Sequence, residues 1–186
     1  MIKYKCFKNQ ITIKGRYSIA PVQREDIEAI RNWRNQQMAV LRQAAEITKD
    51  EQKAYFSQEV WSQIENNEPS QILLGLLLDD KLIGYGGLVH ISWEHKRAEV
   101  SFLSATDRME VATLYSKDFV TFLTLIKMLA TDQLRLNRLF SETYHFRESH
   151  MCLLESAGFV KEGTLRQHTI LEGSPIDSIM HGCLLS

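Results

Sequence analysis

Apolar and polar positions follow changing rhythms along the chain, and the changes divide it into elements. Met1 to Phe7 and Ile11 to Ile19 read as two short strands about Asn9, with a second break at Lys14-Gly15 and an end at Pro21. Between Arg24 and Asn35, Ile27, Ile30 and Trp33 recur at helical spacing and predict a first amphipathic helix. Thr48-Lys-Asp-Glu51 has the form of a capping box. It opens a second helix whose apolar residues, from Tyr55 and Phe56 through Val60, Trp61 and Ile64, keep one broad face until Asn66-Asn67 and Pro69. The period then shortens. Ile72 to Leu78 and Leu82 to Ile91 are apolar runs separated by Asp79-Asp80, a hairpin deep in a sheet. Arg97 to Leu103 alternates as a third strand. A helix of about 18 residues from near Leu114 buries Phe119, Phe122, Leu123, Ile126 and Leu129. Asn137 to Phe146 reads as a strand and Arg147 to Ala157 as a short helix, closed by Gly158 at a left-handed position. The tail forms a hairpin about Glu172-Gly173.

This order predicts a mixed central sheet flanked by helices, of the α/β (α+β) class. It reads as one domain over residues 1–186, with residues 1–15 an extra N-terminal strand extension.

Composition narrows the classes. Lys+Arg number 22 against 23 Asp+Glu, a net charge of -1, so no global positive field gathers nucleic acid or an anionic membrane. No apolar run reaches the ~20 residues of a membrane span, and the charged start MIKYKCFKNQ lacks the apolar core of a signal peptide, so a cytoplasmic location is expected. Cys6, Cys152 and Cys183 have no metal-site spacing, which argues against zinc and a disulfide framework; no metal is expected. Only nine glycines are present, and any phosphate-binding loop must draw on them.

The element order, together with Asn32-Trp33-Arg34-Asn35, the hairpin Leu82-Ile-Gly-Tyr-Gly-Gly-Leu88, the strand Ala98-Glu-Val-Ser-Phe-Leu103 and Ser156-Ala157-Gly158-Phe159, resembles the GNAT superfamily of acetyl-CoA-dependent N-acetyltransferases. Within it, Trp33-Arg34-Asn35 is similar to the branch of ribosomal-protein and amino-sugar acetyltransferases. The glycine-rich hairpin leans towards the sugar-nucleotide enzymes of pseudaminic acid biosynthesis.

The resemblance implies that the strand from Glu99 splays from its neighbour, its free backbone groups holding the pantetheine and thioester of acetyl-CoA. By position, the amides near Phe102 and Leu103 are the candidate donors. Glu142, seventeen residues before Phe159, stands where some relatives carry a glutamate, and a carboxylate in a partly apolar cleft can accept an ammonium proton. His145 and His90 are rivals with suitable intrinsic pKa values. The tyrosine that relatives often place near the coenzyme sulfur is Leu154 here, so the proton for the leaving thiolate must come from elsewhere. Arg147 and His150 stand where the family puts an asparagine and a small residue, and could contact the coenzyme.

The largest departure concerns the pyrophosphate. The family motif R/Q-x-x-G-x-G/A brings backbone amides up to phosphate at a helix start. Between Gly87 and Gly158 this chain has no glycine. Ser104, Thr106, Arg108, Thr113, Ser116 and Lys117 could substitute in part, on a loop from Ser104 to Ser116 longer than usual. On the acceptor side the resemblance assigns Trp33, Arg34, Asn35, Arg42, His90 and Trp93. Trp and Arg suit a nucleotide sugar, although Trp33 also has the spacing of a core residue.

The first functional reading is therefore acetyl transfer to a small amine, an amino-sugar nucleotide foremost. Acetylation of a protein N-terminus shares the chemistry, and a non-catalytic binding module with this fold accounts for the missing glycines and tyrosine. The N-terminal strand pair could pack on its own subunit or on a neighbour's in a homodimer.

Overall fold

The computed structural model describes residues 1–41 and 43–185. Eight strands form one mixed sheet in the order β1-β2-β3-β4-β5-β6-β8-β7. They are β1 Thr12–Lys14, β2 Tyr17–Pro21, β3 Ile72–Leu78, β4 Lys81–Ser92, β5 Arg97–Ser104, β6 Arg138–Tyr144, β7 Val160–Leu171 and β8 Ser174–Leu184. The helices are α1 Ile27–Gln36, α2 Lys49–Tyr55, α3 Thr106–Met109, α4 Ala112–Asp132 and α5 Glu148–Ser156. Every pairing is antiparallel except β5 with β6, which is parallel.

The two faces of the sheet carry different cores. On one face, α4 lays Phe119, Phe122, Leu123, Ile126 and Leu129 against Leu74, Leu76, Ala98, Val100 and Leu139, all buried. On the other, Ile30 of α1 with Phe56 and Val60 covers Leu73, Tyr85 and Leu103. Burying apolar area on both faces is what fixes the register, since a one-residue slip of β5 would exchange its two faces.

The long elements lie where the periodicity puts them, and several ends carry the expected punctuation. Thr48 Oγ1 accepts from the Glu51 amide while the Glu51 carboxylate accepts from the Thr48 amide, a complete capping box. Gly158 has φ +87°, and Gly158 N–H and Phe159 N–H bond back to Glu155 and Leu154, closing α5 with a left-handed turn.

Three expectations need correction. Met1 to Phe7 is not a strand; it is an irregular segment that buries Tyr4 and Phe7 in the α4-side core. The hairpin turns instead at Gly15, between β1 and β2. The second helix is not continuous: after Tyr55 it widens into a π turn over Phe56–Val60 and tightens into a 3-10 turn over Trp61–Gln63. Finally, the long loop after β5 contains a helical turn, α3.

Candidate active site

The cleft is made by strands that stop pairing. β5 and β6 are joined only from Arg97 to Glu99 and from Arg138 to Phe140; beyond, they separate, and a cavity of about 710 Å³ opens between them. That volume accommodates a small-molecule ligand. Which backbone groups face it follows from strand alternation. Lys96 C=O accepts from Arg138 N–H on the β6 side, whereas Ala105 N–H donates to Ile83 on the β4 side. Even-numbered amides of β5 therefore point into the gap and odd-numbered ones towards β4. Phe102 and Ser104 present free N–H groups to the cleft. The Leu103 amide, expected there, turns to β4 instead. The Ser104 carbonyl accepts from Gln37 Nε2 at 2.9 Å, and the buried Ser104 hydroxyl has no protein partner.

The same alternation sorts the side chains. Glu99 and Ser101 of β5 share the α1–α2 face with Glu142 and Tyr144 of β6, while Phe102 lies on the α4 face, 5.2 Å from the Phe119 ring. Glu142 is mostly shielded, with 12% of its side chain exposed, and its Oε1 lies 3.7 Å from Nε2 of His168 on β7. Glu99 receives the His90 ring at 2.7 Å. His90 itself sits in a bulge of β4 with φ +49° and is largely exposed at the cleft rim. Tyr55 and Glu59, carried by the end of α2 and its π turn, complete this wall.

A second cavity, of about 360 Å³, continues from the cleft towards the start of α4, lined by Gln37, Ser104, Met109, Tyr115, Arg147 and His150. His150 borders both spaces. Its ring stacks on Phe119 with centroids 4.4 Å apart, and its Nδ1 lies 2.7 Å from the Tyr115 hydroxyl. Burial, then the Arg147 charge and His181, push its pKa down to about 3. The unfolded chain, with histidine near 6.5, takes up this proton first as the medium is acidified. Stability accordingly declines as pH falls from about 6.5 towards 3, and His150→Phe should flatten that part of the profile in urea midpoints measured between pH 7 and pH 4.

The glycine-free loop is built around an ion pair. In α3 the amides of Arg108, Met109, Glu110 and Val111 bond internally to Ala105, Thr106 and Arg108. The loop therefore needs no positive-φ glycine, and offers few amides. Arg108 makes a bidentate pair with the fully buried Asp118, Nε to Oδ2 at 2.6 Å and Nη2 to Oδ1 at 2.9 Å. Tyr17 of β2 donates to the same carboxylate at 2.8 Å, and burial followed by Asp118 raises that phenol to about 12, so it remains a donor. Arg108 is thus spent on holding α3 to α4 and is not aimed outward at phosphate. Free amides remain at the first turn of α4, Ala112 to Leu114, where Val111 supplies no side-chain cap. Ser116 donates its hydroxyl to Ala112 C=O at 2.7 Å, and the Lys117 ammonium lies 5.9 Å from the Tyr17 ring centre.

Other expected site residues lie elsewhere. His145 is exposed, with its ring against the Asp177 carbonyl, and does not line the cleft. Trp33 packs on the α1-side core, and Trp93 packs on the other core with its indole N–H on Pro69 C=O. Asn35 ties the 43–47 segment to α1 through Gln43 and both backbone groups of Ile47. Arg34 does reach the cleft, held by Tyr85 and Gln43. Arg42 lies outside the described residues. Tyr55, Glu59, Glu99, Tyr115 and Tyr144 were not expected. The strand alternation pointed to Glu99; the other four depend on packing between distant segments.

A family model for the acetyltransferase (GNAT) domain matches residues 19–180. No curated protein matches the sequence. Among solved structures, the spermidine N-acetyltransferase of Vibrio cholerae in complex with CoA and spermine superposes with a TM-score of 0.78 at 18% identity, covering 92% of this chain and 97% of that one. The spermidine/spermine N-acetyltransferase of Vibrio cholerae in complex with manganese ions gives 0.72 at 19%, covering 92% and 94%.

Proposed function

Because the chain belongs to the GNAT acetyltransferase family, we propose that it transfers an acetyl group from acetyl-CoA to a small aliphatic amine carrying a second positive charge. One observation carries the choice of acceptor. The wall opposite the coenzyme side holds three carboxylates, Glu59, Glu99 and Glu142. Among the described residues two arginines border the same cavity: Arg34, hydrogen-bonded to Tyr85 and Gln43, and Arg147, at the junction with the coenzyme channel. An amino-sugar nucleotide, the acceptor expected from the sequence, would bring its phosphate charges against those carboxylates. A di- or polyamine would be attracted by them. The Vibrio cholerae enzymes alike in fold are named for acceptors of that class.

The residues fit acetyl-CoA, which supplies the activated acetyl group when bound. Phe102 and Ser104 offer backbone donors along the gap, and the unpartnered Ser104 hydroxyl adds another polar group beside them. The first turn of α4 offers amides and a positive dipole end for phosphate, with Arg147 beside the channel. Glu142 accepts the ammonium proton, directly or through water, leaving a neutral amine to attack from the carboxylate-lined side. Glu99 and Glu59 hold the remote cationic centre.

The test is a screen for acetyl-CoA-dependent transfer with aliphatic di- and polyamines, amino-sugar nucleotides and N-terminal peptides. Turnover restricted to the polycations is expected; turnover restricted to the nucleotides or peptides would overturn this acceptor class. Glu99→Gln should raise KM for a diamine about tenfold, the loss of one charge-assisted contact, and leave kcat within about twofold. A monoamine of equal length should show little change in KM.

A further inference from the structure

Position 154 is leucine, fully buried in the core, so α5 presents no hydroxyl there to a departing thiolate. One turn earlier on the same helix stands His150, at the junction of the coenzyme channel and the acceptor cleft. Its hydrogen-bonding state can be read from its partners. The Arg147 guanidinium has only donors, and its positive charge bears on the Tyr115 oxygen. A phenol oxygen keeps its lone pairs towards a nearby cation, so we take Tyr115 to donate its O–H to His150 Nδ1, 2.7 Å away. A neutral imidazole that accepts at Nδ1 carries its proton on Nε2. The ring face is taken up by Phe119, and Nε2 has no protein partner among the described residues.

We propose that His150, with its tautomer fixed by Tyr115, donates a hydrogen bond from Nε2–H to the coenzyme sulfur as it leaves. The proposal rests on the acetyl-CoA reading of the cleft. When the tetrahedral adduct collapses, the C–S bond breaks, its electron pair stays on sulfur, and the carbonyl re-forms. His150 stabilises that sulfur anion without giving up its proton; Glu142 passes the ammonium proton to solvent before attack and then takes the second proton from the adduct nitrogen, and the thiolate is protonated afterwards by solvent. His150 is thus a catalytic residue, and Tyr115 a positioning residue behind it. The depressed basicity of the ring suits the role, since the imidazole stays neutral and singly protonated throughout the working pH range. The charged or titratable groups facing it are Tyr115 from α4, Arg147 just before α5 and His181 from β8, and all three remain in the variant that decides the question.

That variant is His150→Phe, compared with wild type by titrating the thiol of bound CoA through thiolate absorbance in the ultraviolet. A hydrogen bond to the anion should hold the bound thiol at least about one pKa unit lower in the wild type, a tenfold difference in thiolate at a given pH. Tyr115→Phe, which removes a single oxygen, should give an intermediate shift and lower kcat with little change in KM for acetyl-CoA. His150→Gln, which keeps an N–H donor, should recover part of the loss. If CoA binds wild type and His150→Phe alike and the two thiols titrate together, the inference is overturned while the coenzyme reading stands. If wild type fails to bind CoA, both fall. Nitrogen-15 shifts of the unliganded protein give an independent check: protonation at Nδ1 in place of Nε2 would also overturn the assignment.

Discussion

Glu142→Gln lowers kcat by about a hundredfold or more, the scale of a lost general base, while calorimetry finds acetyl-CoA bound with nearly unchanged affinity. The separation follows from where the side chain sits. Glu142 lies on the β6 side of the gap, on the face shared with Glu99 and Tyr144, whereas the groups assigned to the coenzyme are the β5 backbone, the start of α4 and Arg147. Glutamine keeps the shape and the polar contact with the acceptor but cannot take its proton. The loss should therefore appear in kcat and in kcat/KM together. Rates should partly recover at high pH, where more of the amine arrives already neutral. A variant with wild-type rates across the whole pH range would remove Glu142 as the base.

Asp118→Ala is expected to cost about 3–5 kcal/mol of folding stability, the range for breaking a buried ion pair from one side. Three elements meet at that carboxylate: α4 carries it, α3 supplies Arg108, and β2 supplies Tyr17. Removing it leaves a guanidinium and a phenol that lost their common acceptor in a site with little access to water. Urea denaturation provides the measurement. The paired replacement of Asp118 by Leu and Arg108 by Met removes both charges, and should recover much of the loss. If Asp118→Ala unfolds at the wild-type midpoint, the pair contributes nothing and some other contact orders the loop. Because the same pair fixes how α3 approaches α4, the single variant should also bind acetyl-CoA more weakly, whereas Glu142→Gln should not.

The elements with one strong period were legible in the sequence. The α4 stripe, the β3–β4 hairpin and the Glu172-Gly173 turn all lie where the pattern put them, because each is specified by local spacing and turn chemistry. The GNAT fold was legible from the order of elements. What local pattern cannot carry is the competition among distant segments. Tyr4 and Phe7 looked like strand residues, yet their burial under α4 gains more than an edge pairing would. Trp33 and Trp93 had the composition of a ligand-stacking wall, and instead pack, partly buried, against the two cores.

The glycines divide in the same way. Gly86 and Gly87 suggested a sugar-nucleotide hairpin, but their local reason is steric: a Cβ on Gly86 would overlap the Ser101 carbonyl, and one on Gly87 the Ile72 carbonyl. The missing phosphate glycines, in turn, reflect a loop that crosses by a helical turn. Arg108 was expected to serve the phosphates, and the partner it has instead was not legible, since Asp118 lies ten residues on and its role depends on the third contact from Tyr17.

The irregular N-terminal segment bears on the order in which the molecule is assembled. Tyr4 accepts from the Leu73 amide, Lys5 N–H bonds Ile64 C=O, and Asn9 N–H bonds the side chain of Gln133, so these residues are translated long before the groups that receive them exist. Contacts this distant in sequence pay their loop-closure entropy late. Until then, Tyr4 and Phe7 travel as exposed aromatic surface on the nascent chain, and the edge of the core they will cover stays wet. The docking of this segment is therefore expected as a slow, final phase of refolding, after the rest of the α4-side core that it joins has formed.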